Sequence, residues 1–433
     1  MERERRVLAH GAYGEWSERS FFARRSEGSL IEDVDGNRYI DFGAGWGTNN
    51  VGNRNEEVRA AVVAALEDNG VACWTSAGNS PQRVELAERL LATLPDGIDR
   101  AVFLTTGTEA DEAALRIMRR ASGRPIVLTF YGQYFGLSYS GQAAGTLEAG
   151  MRADVMPLVG GYVYAPYPNP YRSPLVSRTG GGAGRATLEY IEDVLLAHEV
   201  PPSVVAGVIV EPVIGEGGIL IPPDDFLPGL RELCDRYGWY LCIDEVLSGF
   251  GRCGTLWAFE RSGVVPDLVV IGKGLSGGIM PIAAVAARGD ITEKADAYVA
   301  STYSGHPAAC VAASKTLEIM ARPGFLERVR EQGARALRRL EEMKERHQIV
   351  GDVRGRGLWL AVEFVKDRAT RTKDHDAAAE VARGCLRNGL YLTHDSIAWF
   401  VRVQPPLTIE DELLDQGLDI LEDAIDSVSR TRQ

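Results

Sequence analysis

The sequence predicts an α/β protein with a mostly parallel central sheet covered by helices, followed by a small α/β domain at the C-terminal end. Three observations support this prediction. Short apolar runs alternate with helical patterns between about residues 100 and 290, and these runs are continuously hydrophobic. From about residue 320 the pattern changes to a long charged helix followed by short strands. Continuous apolar runs are typical of strands that are buried on both faces, as in a parallel sheet.

The predicted elements follow in chain order. A hairpin is predicted near the N-terminus, because apolar residues flank the turn sequence Asp35-Gly36-Asn37 on both sides. The predicted sheet strands are residues 101–104, 125–130, 205–210, 239–243, 267–271 and 282–286. The helices predicted between and after them are residues 109–120, 225–237 and 307–320, with Asp224 or Asp225 as a cap of the second.

The C-terminal part is predicted to contain a helix at 326–346, strands at 357–363 and 401–403, and a closing helix after Thr408. The segment 166–185 contains four prolines and three consecutive glycines, which predicts a surface excursion. Its length indicates that it is either functional or mobile.

Composition and charge exclude several classes of protein. The chain has 433 residues, of which 45% are hydrophobic and 25% charged, and its net charge is −13. This composition excludes a disordered, collagen-like or disulfide-scaffold protein. Because an acidic surface repels phosphate backbones and anionic lipids, we expect no nucleic-acid or membrane partner.

The localisation and redox state are predicted from the absence of motifs. No apolar run is long enough for a membrane helix, and residues 1–6 lack a following apolar region, so we expect a cytoplasmic protein without a signal peptide. The cysteines lack a Cys-x-x-Cys pair, which predicts buried or free thiols and no metal site. They are Cys73, Cys234, Cys242, Cys253, Cys310 and Cys385.

Two charged residues follow neighbouring predicted strands. Asp244 ends the strand at 239–243, and Lys273 follows the strand at 267–271. Because the C-terminal ends of parallel strands meet at one crevice, we expect this carboxylate and this amine to lie close together. Gly272 and Gly274 leave room around the lysine.

A turn of small residues, Thr105-Thr106-Gly107-Thr108-Glu109, is predicted to connect a strand to a helix. Its backbone N–H groups and the helix dipole favour an anion such as phosphate. A phosphate cradle, an amine and a carboxylate together suit pyridoxal 5′-phosphate, which needs a Schiff base and a partner for its pyridine nitrogen. Taken alone, Asp244 would be a cap or ion-pair partner and Lys273 a solvated loop lysine, so only the ordered set favours the cofactor.

Seven motifs in a fixed order carry a family resemblance. They are Asp-Val-Asp-Gly-Asn-Arg-Tyr-Ile-Asp-Phe-Gly at 33–43, Thr-Gly-Thr-Glu-Ala at 106–110, Glu-Pro-Val-Ile-Gly-Glu-Gly-Gly at 211–218, Asp-Glu-Val-Leu-Ser-Gly-Phe-Gly-Arg at 244–252, Pro-Asp-Leu-Val-Val-Ile-Gly-Lys-Gly at 266–274, Thr-Tyr-Ser-Gly-His-Pro at 302–307 and Arg-Val-Gln-Pro-Pro-Leu at 402–407. From about Gly28 to its C-terminus the chain resembles the class-III, ω-amino-acid type aminotransferases of the fold-type-I pyridoxal phosphate superfamily, whose fold is like that of aspartate aminotransferase.

The resemblance implies an enzyme that moves an amino group between an amino acid or amine donor and a 2-oxo acid. It implies pyridoxal 5′-phosphate as cofactor, bound as a Schiff base on Lys273. It also implies a homodimer or a tetramer with active sites at the subunit interface. The implied domains are an N-terminal segment at 1–60 that joins the small domain, a large cofactor-binding domain at 61–320 and a small domain at 321–433.

The resemblance also assigns roles around the cofactor. Asp244 pairs with the pyridine nitrogen and keeps a low pKa beside that positive charge. Val246 packs on one face of the ring and Tyr134 stacks on the other, with a plain core aromatic as the less favoured alternative for Tyr134. The remaining cofactor-binding residues are Thr106, Gly107, Thr108 and Glu211, with Thr302 reaching the phosphate of the neighbouring subunit.

Substrate recognition is assigned to Arg402 and Glu216. Arg402 holds a substrate carboxylate, which a guanidinium can bind bidentately, or it forms a structural ion pair. Glu216 occupies a gate position, where it pairs with Arg402 when the substrate lacks an α-carboxylate.

Four departures from the family pattern concern the substrate pocket. Phe135 stands where the family has histidine, Leu137 where 4-aminobutyrate enzymes carry arginine, and Leu247 where glutamine is usual. Trp46 fills a wall position that is often smaller or polar. Trp46, Leu137 and Leu247 predict an apolar pocket for an aliphatic or aryl group and count against 4-aminobutyrate as the preferred donor.

Three alternatives remain open. Dialkylglycine decarboxylase is similar in size and in the sequence Gly-Asp-Val-Arg-Gly-Arg-Gly at 351–357, but His306 replaces its alkali-metal aspartate and Trp46 its pocket glutamine. Decarboxylation is therefore the second hypothesis and amino-acid racemisation or epimerisation the third. A catalytically silent binding or scaffold homologue is disfavoured by the intact Lys273, Asp244 and Arg402.

Overall fold

The computed structural model describes residues 6–8, 21–69, 79–394 and 397–432. It begins with three antiparallel strands, β1 (Ala23–Glu27), β2 (Leu30–Asp33) and β3 (Arg38–Asp41). Gly36, in the turn between β2 and β3, has a φ of 88°, which is the left-handed region that favours glycine. The predicted hairpin is confirmed.

A seven-stranded sheet lies at the centre of the fold. Its strands are β4 (Ile98–Leu104), β5 (Ile126–Phe130), β6 (Tyr162–Ala165), β7 (Val205–Val210), β8 (Tyr240–Asp244), β9 (Leu268–Ile271) and β10 (Ala283–Arg288). Their spatial order is β4-β10-β9-β8-β7-β5-β6, and all neighbours are parallel except β10, which is antiparallel to β4 and β9. Every residue of β7 and β9 is buried, which explains their continuous apolar sequence. The prediction of a mostly parallel α/β sheet is confirmed.

The sequence did not predict β6. This strand has four residues and lies at the edge of the sheet, where it pairs only with β5. A short edge strand carries too few alternating or buried positions to stand out in the sequence.

Helices connect these strands. They are α1 (Glu56–Asn69), α2 (Pro81–Leu91), α3 (Gly107–Ser122), α4 (Tyr139–Ala144), α5 (Ala149–Ala153), α6 (Ala183–Tyr190), α7 (Phe226–Tyr237), α8 (Gly289–Ala295), α9 (Pro307–Met320), α10 (Phe325–Arg346), α11 (His375–Arg387) and α12 (Asp411–Thr431). Shorter helical turns cover Ala44–Gly47, Pro202–Val204, Ala258–Ser262 and Lys273–Ser276, and Ile191–Glu199 is a π-helix.

The predicted helices are present as α3, α7, α9, α10 and α12, but the predicted side-chain cap of α7 is wrong. Asp225 occupies the N-cap position, yet its side chain makes no capping hydrogen bond. Its backbone is already helical, with φ −80° and ψ −14°, whereas a capping side chain normally folds back from an extended residue.

The C-terminal part contributes the strands β11 (Val350–Arg356), β12 (Trp359–Asp367), β13 (Thr372–Lys373), β14 (Leu390–Tyr391) and β15 (Phe400–Val403). β12 pairs with β11, β13 and β15, so the strands predicted near 357–363 and 401–403 are neighbours in one sheet. β14 instead pairs in parallel with β3 and completes the N-terminal sheet. The division into three domains stays a prediction.

The described part of the chain contains no helix that is both long and apolar enough to cross a membrane. The cytoplasmic location stays a prediction. Within the same residues, all cysteines are buried and none forms a disulfide, as expected. Cys73 lies outside the described residues.

Candidate active site

A cavity of about 210 Å³ lies at the edge of the central sheet. β4, β5, β7, β8 and β9 run in the same direction, so their C-terminal ends meet at this edge. The cavity is lined by Gly107, Thr108, Asp111, Tyr134, Gly136, Glu211, Glu216, Asp244, Val246, Leu247 and Lys273. The structure therefore brings together most of the residues that the sequence analysis placed around the cofactor.

Lys273 follows β9 after a single glycine and begins a short helical turn. Its φ of 38° lies in the left-handed region, which costs free energy for a residue with a side chain. Glycine is required after the lysine, because a Cβ on Gly274 would lie only 2.6 Å from Asn50 Nδ2. Lys273 Nζ lies 3.6 Å from Glu216 Oε1 and reaches the cavity.

Asp244 is the last residue of β8, and its side chain is buried. Asp244 Oδ1 accepts a hydrogen bond of 2.8 Å from the backbone N–H of Val246. Burial raises the pKa of Asp244 to about 7, although that N–H and the charge of Lys273 oppose the shift. A cation beside this carboxyl would lower its pKa again, as the resemblance implies for a pyridine nitrogen.

The first turn of α3 supplies donors for an anion. Thr106 is the N-cap: its hydroxyl oxygen accepts a hydrogen bond from Glu109 N, and Glu109 Oε2 accepts from Thr105 N and Thr106 N. This capping box uses the Thr106 side chain, so the N–H groups of Gly107 and Thr108 are the ones left to bind an anion. Glycine fits at position 107 because a Cβ there would lie only 3.0 Å from Val246 Cγ1, which is a tight contact.

Glu211 follows β7 and is fixed by backbone donors. Its carboxylate accepts hydrogen bonds from Tyr134 N at 3.0 Å and Gly215 N at 2.8 Å. Burial, followed by the charge of Asp244, raises the pKa of Glu211 to about 8. Gln133, which the sequence analysis missed, accepts a hydrogen bond from Glu211 N at 2.6 Å. The side chain after Tyr134, Phe135, is fully buried in the core.

Glu216 lies between the lysine and the predicted carboxylate-binding arginine. Its Oε2 accepts a hydrogen bond of 2.9 Å from Arg402 Nη2, while its Oε1 faces Lys273. Arg402 is only 1% exposed, and its guanidinium lies 5.2 Å from the ring centre of Trp46 and 4.9 Å from that of Phe400. The arginine thus forms the ion pair that the gate position implies.

Five predicted site residues do not line this cavity in the single chain, namely Trp46, Thr106, Leu137, Thr302 and Arg402. Leu137 is 63% exposed, Thr302 is exposed and Thr106 caps α3. Leu247 does line the cavity, and Trp46 reaches the site through its contact with Arg402.

Asp111 and Gly136 line the cavity but were missed by the sequence analysis. Asp111 lies four residues after Gly107 on α3, so helical periodicity places it on the same face. This spacing is the signal that could have identified it.

A second, larger cavity of about 830 Å³ shares Glu216 with the first. Its wall combines apolar and aromatic side chains with two basic ones, Arg172 and Lys373. The ammonium of Lys373 lies 3.2 Å from the ring centre of Trp399. Residues 166–174 of the predicted surface excursion form part of the wall, so this segment contributes to the shape of the site.

These residues fit pyridoxal 5′-phosphate. The N–H groups at the start of α3 suit its phosphate, the buried carboxyl of Asp244 suits a cationic ring nitrogen, and Lys273 suits its aldehyde. All three groups line the same cavity, which is the arrangement predicted from the sequence.

Comparisons with known proteins agree with this fit to pyridoxal 5′-phosphate. Residues 12–425 match the aminotransferase class-III family. The chain is 34% identical to the leucine/methionine racemase of Thermococcus litoralis, over 95% of this chain and 91% of the relative. It is also 34% identical to the 4-aminobutyrate aminotransferase of Escherichia coli, over 94% of each. An amine transaminase from an uncultivated Pseudomonas species, solved with pyridoxal phosphate bound, has a TM-score of 0.88 at 28% identity and 99% coverage of both chains.

The raised pKa of Asp244 predicts a pH dependence of cofactor binding. Asp244 is ionised above about pH 7 in the free chain, and a bound cation favours its ionised form. Below pH 7, binding of the cofactor must therefore release a proton from Asp244. The affinity for pyridoxal 5′-phosphate is expected to fall by about tenfold for each unit by which the pH is lowered.

Fluorescence titration of the free chain at a series of pH values measures this dependence. The matched variant Asp244→Asn controls for titration of the cofactor itself and is expected to bind weakly with a shallower slope. Equal slopes for both proteins would contradict the assignment of Asp244.

Proposed function

The chain belongs to the class-III aminotransferase family, and from this premise we propose that it transfers the amino group of an apolar amine or amino acid to a 2-oxo acid, with Lys273 binding the cofactor. The protein is an aminotransferase-type enzyme, and its cofactor is pyridoxal 5′-phosphate. The observation that carries the proposal is the placement of Lys273 and Asp244 in one cavity with the N-terminus of α3.

Each residue of the cavity has a defined task in this proposal. The cofactor, when bound, supplies an aldehyde that accepts the amino group and a ring that withdraws electrons from the bond to be broken. Lys273 Nζ holds the cofactor and then moves the proton at the substrate α-carbon. Asp244 stabilises positive charge at the ring nitrogen, and the first turn of α3 fixes the phosphate.

Two kinds of substrate share this site, because Glu216 and a substrate carboxylate compete for Arg402. The observed 2.9 Å pair between Glu216 and Arg402 suits a donor without an α-carboxylate. A donor or acceptor with an α-carboxylate would take the guanidinium bidentately, and Glu216 would turn away. This exchange lets the same pocket accept an amine and then a 2-oxo acid.

The proposed donor carries an apolar side chain. Leu247 lines the cavity, and Trp46 lies against Arg402, so apolar side chains form part of the wall where the substrate would bind. The larger cavity, which is also lined by Glu216, contributes further apolar and aromatic side chains. One relative of the chain, 34% identical to it, is named for two apolar amino acids, leucine and methionine.

We propose a homodimer as the functional form. Thr302 is exposed, and the exposed side chains of Tyr298 and Tyr303 lie close to it in sequence. Exposed aromatic side chains of this kind suit an interface. In such a dimer Thr302 would reach the phosphate in the partner subunit, and a tetramer would be a pair of these dimers.

Racemisation of an amino acid is the second candidate function. The observation that favours it is the equal identity, 34%, to a racemase and to an aminotransferase. A lysine that moves the α-proton can return it to the α-carbon instead of completing the amino transfer. Decarboxylation is less favoured, because His306 stands where the decarboxylase has its alkali-metal aspartate. Nδ1 of His306 accepts a hydrogen bond from Ala308 N, so this side chain caps the start of α9.

Absorbance of the half-reaction distinguishes these functions. We expect an apolar donor to convert the loaded enzyme to the amine form of the cofactor, and a 2-oxo acid to restore the original spectrum. Loss of optical activity from the donor, without release of a 2-oxo acid, would instead identify a racemase. Release of carbon dioxide in step with the spectral change would identify a decarboxylase.

Lys273→Ala is expected to remove the covalent attachment of the cofactor. The loaded enzyme should show a visible absorption band that resists gel filtration, and the variant should lose it. Lys294→Ala, a surface lysine paired with Asp290, is the matched control and should keep the band. A coloured Lys273→Ala protein would contradict the role of Lys273, and a colourless parent protein would favour a silent homologue.

Arg402→Ala is expected to raise KM for substrates with an α-carboxylate much more than for simple amines. Truncating one partner of a buried, hydrogen-bonded charge pair costs about 2–5 kcal/mol. Steady-state kinetics with an amino acid and with the matching amine measures the difference.

Glu216→Gln provides the complementary variant, because it removes the competing charge. It should lower KM for the amino acid relative to the amine. Equal losses for both substrates in Arg402→Ala would show that the arginine has only a structural role.

A further inference from the structure

The larger cavity, of about 830 Å³, shares one side chain with the cofactor cavity. Glu216 lines both of them. Gly132 lines the larger cavity, and Tyr134, two residues further along the chain, lines the smaller one. The turn of Glu216 in the proposed function would therefore connect the two cavities. A volume of about 300–1,000 Å³ is usual for a small-molecule site, so the larger cavity has room for part of a substrate.

A lysine lies against an aromatic ring in the wall of this larger cavity. Lys373 is the last residue of β13, and its ammonium lies 3.2 Å from the ring centre of Trp399. The ring of His375, which lines the same cavity, meets the Trp399 ring edge-on at 5.8 Å. Within the part of the chain that the structure describes, Lys373 forms no hydrogen bond or ion pair. A cation–π contact holds the ammonium in place but does not neutralise its charge.

The acids near Lys373 are already paired with other cations. Glu363 is fully buried, and its oxygens accept hydrogen bonds from Arg172 Nε at 2.5 Å and from Arg354 Nη1 at 2.7 Å. Asp352 also pairs with Arg354, at 2.8 Å. Burial, followed by the charge of Arg172, lowers the pKa of Lys373, although Glu363 opposes this shift. This side of the cavity therefore carries a positive charge without a matching acid, which favours an anionic ligand.

Two acids line the same cavity. Glu216 pairs with Arg402 and faces Lys273, so its charge is already compensated. Glu148 is half-buried before α5, and its side chain makes no capping hydrogen bond to that helix. Glu148 is thus the charge that would oppose an anion in this cavity.

We propose that the larger cavity binds the far end of the amino donor and that Lys373 selects donors whose apolar chain ends in a carboxylate. This inference rests on the proposed function, because it places the amino group of the same molecule at Lys273. The apolar and aromatic side chains of the wall suit the chain of such a donor. Its carboxylate would accept a charge-assisted hydrogen bond from the ammonium of Lys373.

Steady-state kinetics with matched donors tests both the length and the charge of the substrate. The probes are straight-chain ω-amino carboxylates of increasing length and the alkylamines of the same length. Relative to the alkylamines, the carboxylates should gain in kcat/KM with chain length, through a lower KM, because only a long chain reaches Lys373. Equal or better use of the alkylamine at every length would overturn the inference.

Lys373→Met removes the charge and keeps a long side chain. At the preferred chain length, it should lower the carboxylate-to-alkylamine ratio of kcat/KM by about tenfold. Lys373→Glu should reverse the preference and favour a diamine of that length. The matched control is Lys366→Met, which removes an exposed lysine on the neighbouring strand β12 that does not line the cavity, and its ratio should equal that of the wild-type protein.

Glu148→Gln gives a test in the opposite direction. It removes a negative charge from the wall of the same cavity, so it should raise the carboxylate-to-alkylamine ratio. A lower ratio in Glu148→Gln, or an unchanged ratio in Lys373→Met, would show that the charge of this cavity does not select the donor and would overturn the inference.

Calorimetry separates this inference from the proposed function. A straight-chain monocarboxylate without an amino group is titrated into the purified protein, and this measurement needs no turnover. Lys373→Met should raise the Kd by about tenfold, whereas Lys366→Met should leave it unchanged. An unchanged Kd in Lys373→Met would overturn the inference. A failure of the Lys273→Ala test would overturn the proposed function without affecting this measurement.

Discussion

The burial of ionisable groups at the edge of the central sheet is the constraint on which the site depends. Asp244 and Glu211 lie where covered parallel strands end, and burial raises the pKa of both carboxyls. A buried carboxylate keeps its charge only beside N–H donors or a cation. Lys273 supplies one cation, yet the pKa of Asp244 stays raised, so the electrostatics favour a ligand with a positive end at Asp244 and an anionic end at α3.

The buried strands of the central sheet hold the residues of this site in place, although burying their charges costs free energy. β7 and β9 are buried along their whole length, and their ends therefore hold the following residues in place. Lys273 adopts a backbone conformation that is unfavourable for a non-glycine residue. Unfavourable backbone geometry and buried charge at one place are typical of sites where stability is exchanged for function.

In the proposed function, recognition of two kinds of substrate depends on which partner of an ion pair can move. Arg402 is almost fully buried and lies against the rings of Trp46 and Phe400, so its guanidinium is held in one position. Glu216 lies in a connection with Gly215, Gly217 and Gly218 around it. The proposed function therefore assigns the movement to Glu216, which turns away when a substrate carboxylate takes the guanidinium. The proposed function thus combines a fixed cation with a movable anion.

Local sequence determined much of this protein. Continuous apolar runs identified the buried strands, the small-residue turn at 105–109 indicated the start of a helix, and the order of the motifs identified the family. Each of these properties depends on residues that are close together in the chain, and a pattern within one segment can therefore report it.

Only the tertiary structure decided the remaining features. It placed Glu216 between Lys273 and Arg402, although Arg402 lies 186 residues further along the chain. It also placed Asp111 in the same cavity as Asp244, with its Oδ1 buried and without a partner among the described residues, and left Leu137 outside that cavity. These outcomes depend on how strands and helices pack across the sheet, and the burial that sets the charge of each acid exists only after that packing is complete.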